Sequence, residues 1–124
     1  MSVRNLSNLC HYIGLDLAWS ARNRSGIAVL VGGPAGARLV EDPQLLDTDA
    51  AILAYIDRHA PIGPAIIAID APLVVPNEHG RRQADALLSA AFRRYEAGTH
   101  PANRRLLARD GIVRGEALTA AFAA

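Results

Sequence analysis

The 124-residue sequence contains one cysteine, six aromatic side chains and no lysine, since all thirteen of its basic residues are arginine. A lone thiol, Cys10, forms no internal disulfide, which excludes a disulfide-stapled scaffold, and it has no evident activating neighbour in sequence. Neither Cys-x-x-Cys nor Gly-x-Ser-x-Gly occurs, so a zinc knuckle and a serine-hydrolase elbow have no support. The glycine-rich stretch Gly32 to Gly36 lacks the Gly-Lys-Ser/Thr ending of a phosphate loop and reads as a turn. No apolar run approaches the ~20 residues that cross a bilayer. Met1 to Leu9 carry a single arginine and no continuous apolar stretch, so no secretory signal is visible. The expected location is the cytoplasm, with no membrane partner. Internal repeats and low-complexity linkers are absent too.

What is present describes one folded domain spanning residues 1–124. Hydrophobic residues make up 51% and charged residues 20%, too apolar a mixture for a disordered chain. The net charge of +1 points to no polyanionic partner, but its distribution is uneven: five arginines face seven acids in residues 1–76, and eight face five in residues 77–124. The arginine fork suits phosphate, yet arginine in place of every lysine reads first as a coding bias. The asymmetry between the halves is the better pointer.

The apolar pattern predicts a strand over Tyr12 to Trp19, interrupted only by Asp16, then a polar turn at Arg22 to Gly26 and a second strand over Ile27 to Val31. A third strand is expected from Ala37 to Val40. Asp47 or Thr48 caps a helix whose buried face is Ile52, Tyr55, Ile56 and His59, ended by Pro61 and Pro64. Ala65 to Ala71 reads as a central buried strand interrupted by Asp70. The best-patterned helix buries Ala84, Leu87, Leu88, Ala91, Phe92 and Tyr95, turns Arg82, Asp85, Arg93 and Glu96 outward, and uses Gly98 at its end. A short helix from Pro101 through Leu107, closed by Gly111, and a last helix over Ala117 to Ala124 follow. The fold class is therefore α/β with a mixed sheet: an antiparallel meander of three strands, a crossover helix, a fourth strand parallel to the first, and C-terminal helices.

Two acids, Asp16 and Asp70, interrupt apolar strands that this topology makes neighbours. A carboxylate buried there costs several kcal/mol, on the order of a lost ion pair, unless it is hydrogen-bonded, paired or bound to a cation. Gly14 shares a face with Asp16, and Ala68 shares one with Asp70, leaving room beside each. Two close carboxylates repel, and oxygen-only ligands favour Mg²⁺ or Mn²⁺. The alternative for each acid is a strand-end or turn cap through local backbone bonds.

The ordered set Tyr12-Ile-Gly-Leu-Asp16-Leu-Ala-Trp19, Ser25-Gly-Ile-Ala-Val29, Ile69-Asp70-Ala-Pro-Leu73, Gly80-Arg-Arg-Gln-Ala-Asp85 and His100-Pro-Ala-Asn-Arg104 resembles the DUF429 family of predicted nucleases with a ribonuclease H-like fold. The resemblance runs from about Tyr12 to Leu107. It implies a ribonuclease H-like sheet in which Asp16 and Asp70 match the two acids that hold catalytic metals. Nucleases of that kind use two ions about 4 Å apart to activate water and steady the leaving oxygen of a phosphodiester. Such nucleases usually carry a further acid on a late helix after a fifth strand, and neither is found here. Asp85 and Asp110 are the available substitutes, and the chain reads as a truncated member.

Arg81, Arg82, Arg93, Arg94, Arg104 and Arg105 are candidates for a phosphate track, with an ordinary solvated helix face as the plainer reading. Trp19 is placed to stack a nucleic-acid base or to sit in the core, and His79 is a further candidate proton donor. The leading expectation is a Mg²⁺- or Mn²⁺-dependent nuclease acting on nucleic acid, with Asp16 and Asp70 catalytic and Trp19, Arg81, Arg82 and Arg104 contacting substrate. The alternative is an inactive truncated remnant that persists as a folded module, self-associating into a homo-oligomer through an exposed sheet edge. A sugar-kinase or actin-like phosphotransferase shares the first acidic strand but needs a second domain for which there is no room.

Overall fold

A computed structural model describes residues 9–20 and 22–123. The N-terminal reading, that no secretory signal is visible, therefore falls mostly on residues 1–8, outside the described residues. The chain divides into two compact units, one ending at Ala71 and the other beginning at Pro72.

The first unit holds β1 (Cys10–Asp16), β2 (Ser25–Gly33), β3 (Gly36–Leu39), β4 (Gln44–Leu46), α1 (Asp49–His59) and β5 (Ala65–Asp70). The sheet order is β3-β2-β1-β5, with β4 also paired to β2. β1 runs antiparallel to β2 and parallel to β5, and β2 runs antiparallel to both β3 and β4. This is the mixed sheet that the pattern predicts, with β4 added. Three residues are too few to show alternation, so β4 has no signature in sequence.

Period-two alternation gives the sheet one buried and one open face. Ile13, Leu15, Ile27 and Val29 are buried, while Tyr12, Gly14, Asp16 and Leu30 are open. A helix that crosses between parallel neighbours lies over a sheet face, and α1 supplies the matching apolar stripe of Ile52, Tyr55 and Ile56, all buried. Burial pushes the Tyr55 phenol up to about 12, and the nearby Glu41 carboxylate acts in the same direction. Thr48 caps α1, its hydroxyl accepting from the Ala51 N–H at 3.1 Å. Thr48→Ala is expected to cost about 1 kcal/mol of stability in urea unfolding, because it strands one donor of the first turn.

The β2–β3 turn depends on its glycines. A Cβ at Gly32 would collide with the Gly36 carbonyl and with Ala37, and Gly36 sits at φ +124°.

β5 corrects an expectation. It is an edge strand with Ile66 58% exposed, and not the central buried strand that its apolar run suggests. An apolar run reports that both faces tolerate burial; whether a neighbour arrives is a tertiary matter.

The second unit holds α2 (Gln83–Phe92), a 3₁₀ turn (Arg93–Tyr95), α3 (Arg104–Leu107) and α4 (Arg114–Ala123). Its core is Val75, Ala102, Leu107 and Val113. Here α2 departs from the predicted orientation: Leu87, Leu88 and Phe92 are exposed, as is Tyr95 just beyond, and Asp85 is the helix's buried residue, while Arg93 and Glu96 face outward as expected. Asp85 is held inward by Arg82, which donates to its carboxylate, and by the Thr99 hydroxyl, which donates to its backbone carbonyl. Two helix ends also differ from expectation. Glu96, at φ 57°, takes the left-handed position expected of Gly98, and Asn103 caps α3 where Pro101 was expected to start it. The last helix begins at Arg114 rather than Ala117, and Ala124 lies outside the described residues. Among the described residues no helix is long and apolar enough to cross a membrane.

Candidate functional site

Asp16 and Asp70 end their strands side by side. They are direct partners in the parallel β1–β5 register, so their Cα atoms are separated by about one inter-strand spacing, ~5 Å. Gly26 is the partner of Asp16 on the opposite strand, β2. A Cβ at Gly26 would lie 3.9 Å from the Asp16 Cβ and 4.0 Å from the Leu45 side chain, and one at Gly14 would meet nothing within 4 Å. The strip across the end of the sheet is thus a glycine, a carboxylate and a second carboxylate, with Gly14, Ala28 and Ala68 behind. These residues line a depression of about 630 Å³, bounded also by Pro43, Gln44 and Leu45.

Both carboxylates are exposed, which corrects the expectation that the interrupted strands bury them. Alternation explains the error: Asp16 and Asp70 occupy the phase of the open face, and the hydrophobic residues between them belong to the other phase. Neither side chain makes a hydrogen bond or ion pair among the described residues, so local backbone capping is not what holds them. Like charges placed directly opposite across two strands destabilise the pair, and among the described residues no cation pairs with either. Ser25, fully buried, accepts from the Ala18 N–H at 3.1 Å and fixes the chain just past Asp16 to the start of β2. Trp19 follows, 56% exposed, so the core reading for it fails.

The contributions of Gly26 and of Pro43 to Leu45 were missed in sequence. Gly26 had a usable signal, a small residue opening the strand that a hairpin returns beside Asp16. The segment around β4 had none.

The arginines expected to touch substrate are committed within the second unit. Arg82 forms a two-pronged pair with Asp85, Nε donating at 2.8 Å and Nη2 at 2.7 Å, and Nη1 donates to the Val74 carbonyl. Those bonds hold the Asp85 carboxyl below its ordinary value, against the opposing effect of burial. Arg81 Nη1 donates to the Ser89 hydroxyl and the Thr99 carbonyl. Arg104 pairs with Glu116 at 2.6 Å, and the other Glu116 oxygen accepts from the Val75 N–H. Arg93 and Arg105 are exposed, and their side chains have no partner among the described residues. Asp85 is buried with both its oxygens accepting from Arg82, and Asp110 lies exposed in the turn before Gly111. No cluster of three metal-ligating side chains occurs among the described residues. His79 and His100 are both exposed.

The fold and the site define an α/β protein with a five-stranded mixed sheet and a paired-carboxylate trough at one end of it. The chain belongs to the DUF429 family, whose description is a protein of unknown function and whose sequence model matches residues 14–122. No curated protein and no solved structure matches it.

Proposed function

We propose that this protein is a divalent-metal-dependent nuclease of ribonuclease H-like architecture, with Asp16 and Asp70 as its metal ligands. The observation that carries the reading is the in-register pair of exposed carboxylates, without a partner among the described residues, flanked by Gly14, Gly26 and Ala68. The donor set fits the ion. Mg²⁺ and Mn²⁺ take oxygen ligands, and Mg²⁺ typically binds one or two carboxylates while keeping waters and substrate phosphate in its remaining positions. Two acids in an open depression suit that mode, and an all-protein cage is not required.

A bound divalent ion would supply Lewis-acid polarisation of a phosphodiester and a more acidic bound water. The chain's own residues would do the rest. Asp16 and Asp70 offer carboxylate oxygens from two rigid strand ends, with the buried Ser25 fixing the loop after β1. The small residues leave space for a phosphate to approach. Trp19 offers an exposed indole on which a base can stack. Among the arginines, Arg93 and Arg105 have guanidinium groups freer to take a phosphate than those of Arg81, Arg82 and Arg104, whose forks already hold internal partners.

The test is cleavage of labelled single- and double-stranded DNA and RNA with Mn²⁺, beside Asp16→Asn. Metal-dependent cleavage lost in the variant is the expected result; cleavage that persists in chelator overturns the reading.

A further inference from the structure

Among the described residues, the outer side of β5 is a strand edge with no hydrogen-bonded neighbour. β5 pairs with β1 on one side, and among the described residues no backbone group of β5 bonds to any segment on the other. Folded proteins usually blunt such an edge with a charge, a proline, a bulge or a covering segment. From Ala65 to Ile69 the strand carries neither charge nor proline, reading Ala-Ile-Ile-Ala-Ile between Pro64 and Asp70.

We propose that β5 pairs with the β5 of a second copy of this chain, antiparallel about a two-fold axis centred on Ile67, joining the two sheets into one. The strand is its own complement in that register. Ala65 falls opposite the partner's Ile69 and Ile66 opposite the partner's Ala68, so these large side chains each meet a small one, Ile67 meets its own copy at the axis, and no charge enters the ladder. Asp70 falls opposite the partner's Pro64, which lacks an N–H and ends the pairing. The competing register, centred on Ala68, sets Ile67 against the partner's Ile69 and places the Asp70 carboxylate against the partner's Ile66. It loses on both size and charge.

A two-fold that pairs antiparallel edge strands must stand perpendicular to the sheet, so like faces fall on the same side and the axis passes beside a residue that faces its own copy. The contact is isologous and closes on itself, which a heterologous edge contact does not. Both carboxylate troughs then lie on one face of the joined sheet. None of this depends on whether those troughs bind metal.

The test uses the full chain. Wild-type protein is expected to sediment at twice the 13.2 kDa monomer mass. In a Cys10→Ser background, Ile67→Cys places two thiols across the axis with Cα atoms about 4.5–5.5 Å apart, within disulfide reach. It should form a covalent dimer on mild oxidation. Ile69→Cys in the same background should not, because its two copies lie four residues out of register, roughly 13 Å apart. Wild type that stays at monomer mass at every soluble concentration overturns the proposal even if a variant fails to fold. Cross-linking through Ile69→Cys in place of Ile67→Cys overturns the register.

Discussion

Asp70→Asn is expected to abolish saturable Mn²⁺ binding in titration calorimetry and, in chelator, to leave the protein slightly more heat-stable than wild type. The two effects have opposite signs for one reason. Without an ion, Asp16 and Asp70 are like charges on directly opposed positions, and neutralising one removes their repulsion. With an ion, the same pair is the ligand set, and the variant has lost half of it. Wild type should therefore gain stability with Mn²⁺, by about 2.7 kcal/mol when the free ion reaches a hundred times its Kd. The Asn variant should gain little. Asp16→Asn should behave alike, because the two positions are equivalent in the register. An equal thermal shift with Mn²⁺ in wild type and both variants would show that the carboxylates hold no metal, and the nuclease reading would fall with them.

Arg82→Ala is expected to be the most damaging single change in the second unit, at about 2–3 kcal/mol in denaturant unfolding. Asp85 is only 5% exposed, and removing Arg82 leaves its carboxylate buried without its two strongest donors. The reverse change, Asp85→Ala, should cost less, because the Arg82 side chain is 26% exposed and its freed donors can reach water. The pair also sets an acid limb. The Arg82 bonds lower the Asp85 carboxyl in the folded state, so the unfolded chain takes up the proton first as pH falls. The stabilisation is complete above the unfolded value, about pH 4, and is lost as the pH drops through the lowered folded value. Between those two values the stability gap between wild type and Asp85→Asn should narrow steadily, measured by unfolding across an acid pH series. A gap that stays constant across that window would rule out Asp85 as the titrating group.

The pairing of Asp16 with Asp70 was legible because it follows from topology. Two strands on either side of a crossover become parallel neighbours, and β1 and β5 do. The exposure of the two acids was misread for a definable reason. In Tyr12-Ile-Gly-Leu-Asp16 the buried residues are Ile13 and Leu15, one phase of the alternation, and Gly14 leaves the other phase looking apolar when it is merely small. Arginine behaved similarly. Arg81, Arg82 and Arg104 look like a phosphate track when only their charges are counted, but each has an internal acceptor: Asp85 lies only three residues beyond Arg82, while sequence separation concealed the other two. Glu116 lies twelve residues beyond Arg104, and Thr99 lies eighteen beyond Arg81.

Local chemistry, read from the sequence by itself, determined the family, the strands other than β4, the Thr48 cap, the helical segments and the meeting of two acids. Each rests on contacts within a few residues or on a connection rule that short loops impose. Only the tertiary structure decided that β5 is an edge, that α2 buries Asp85 while exposing Leu87, Leu88 and Phe92, and that β4 flanks the trough. Periodicity separates the two faces of an element, but which face is buried depends on the surface it meets, and on whether a buried charge such as Asp85 finds a partner such as Arg82.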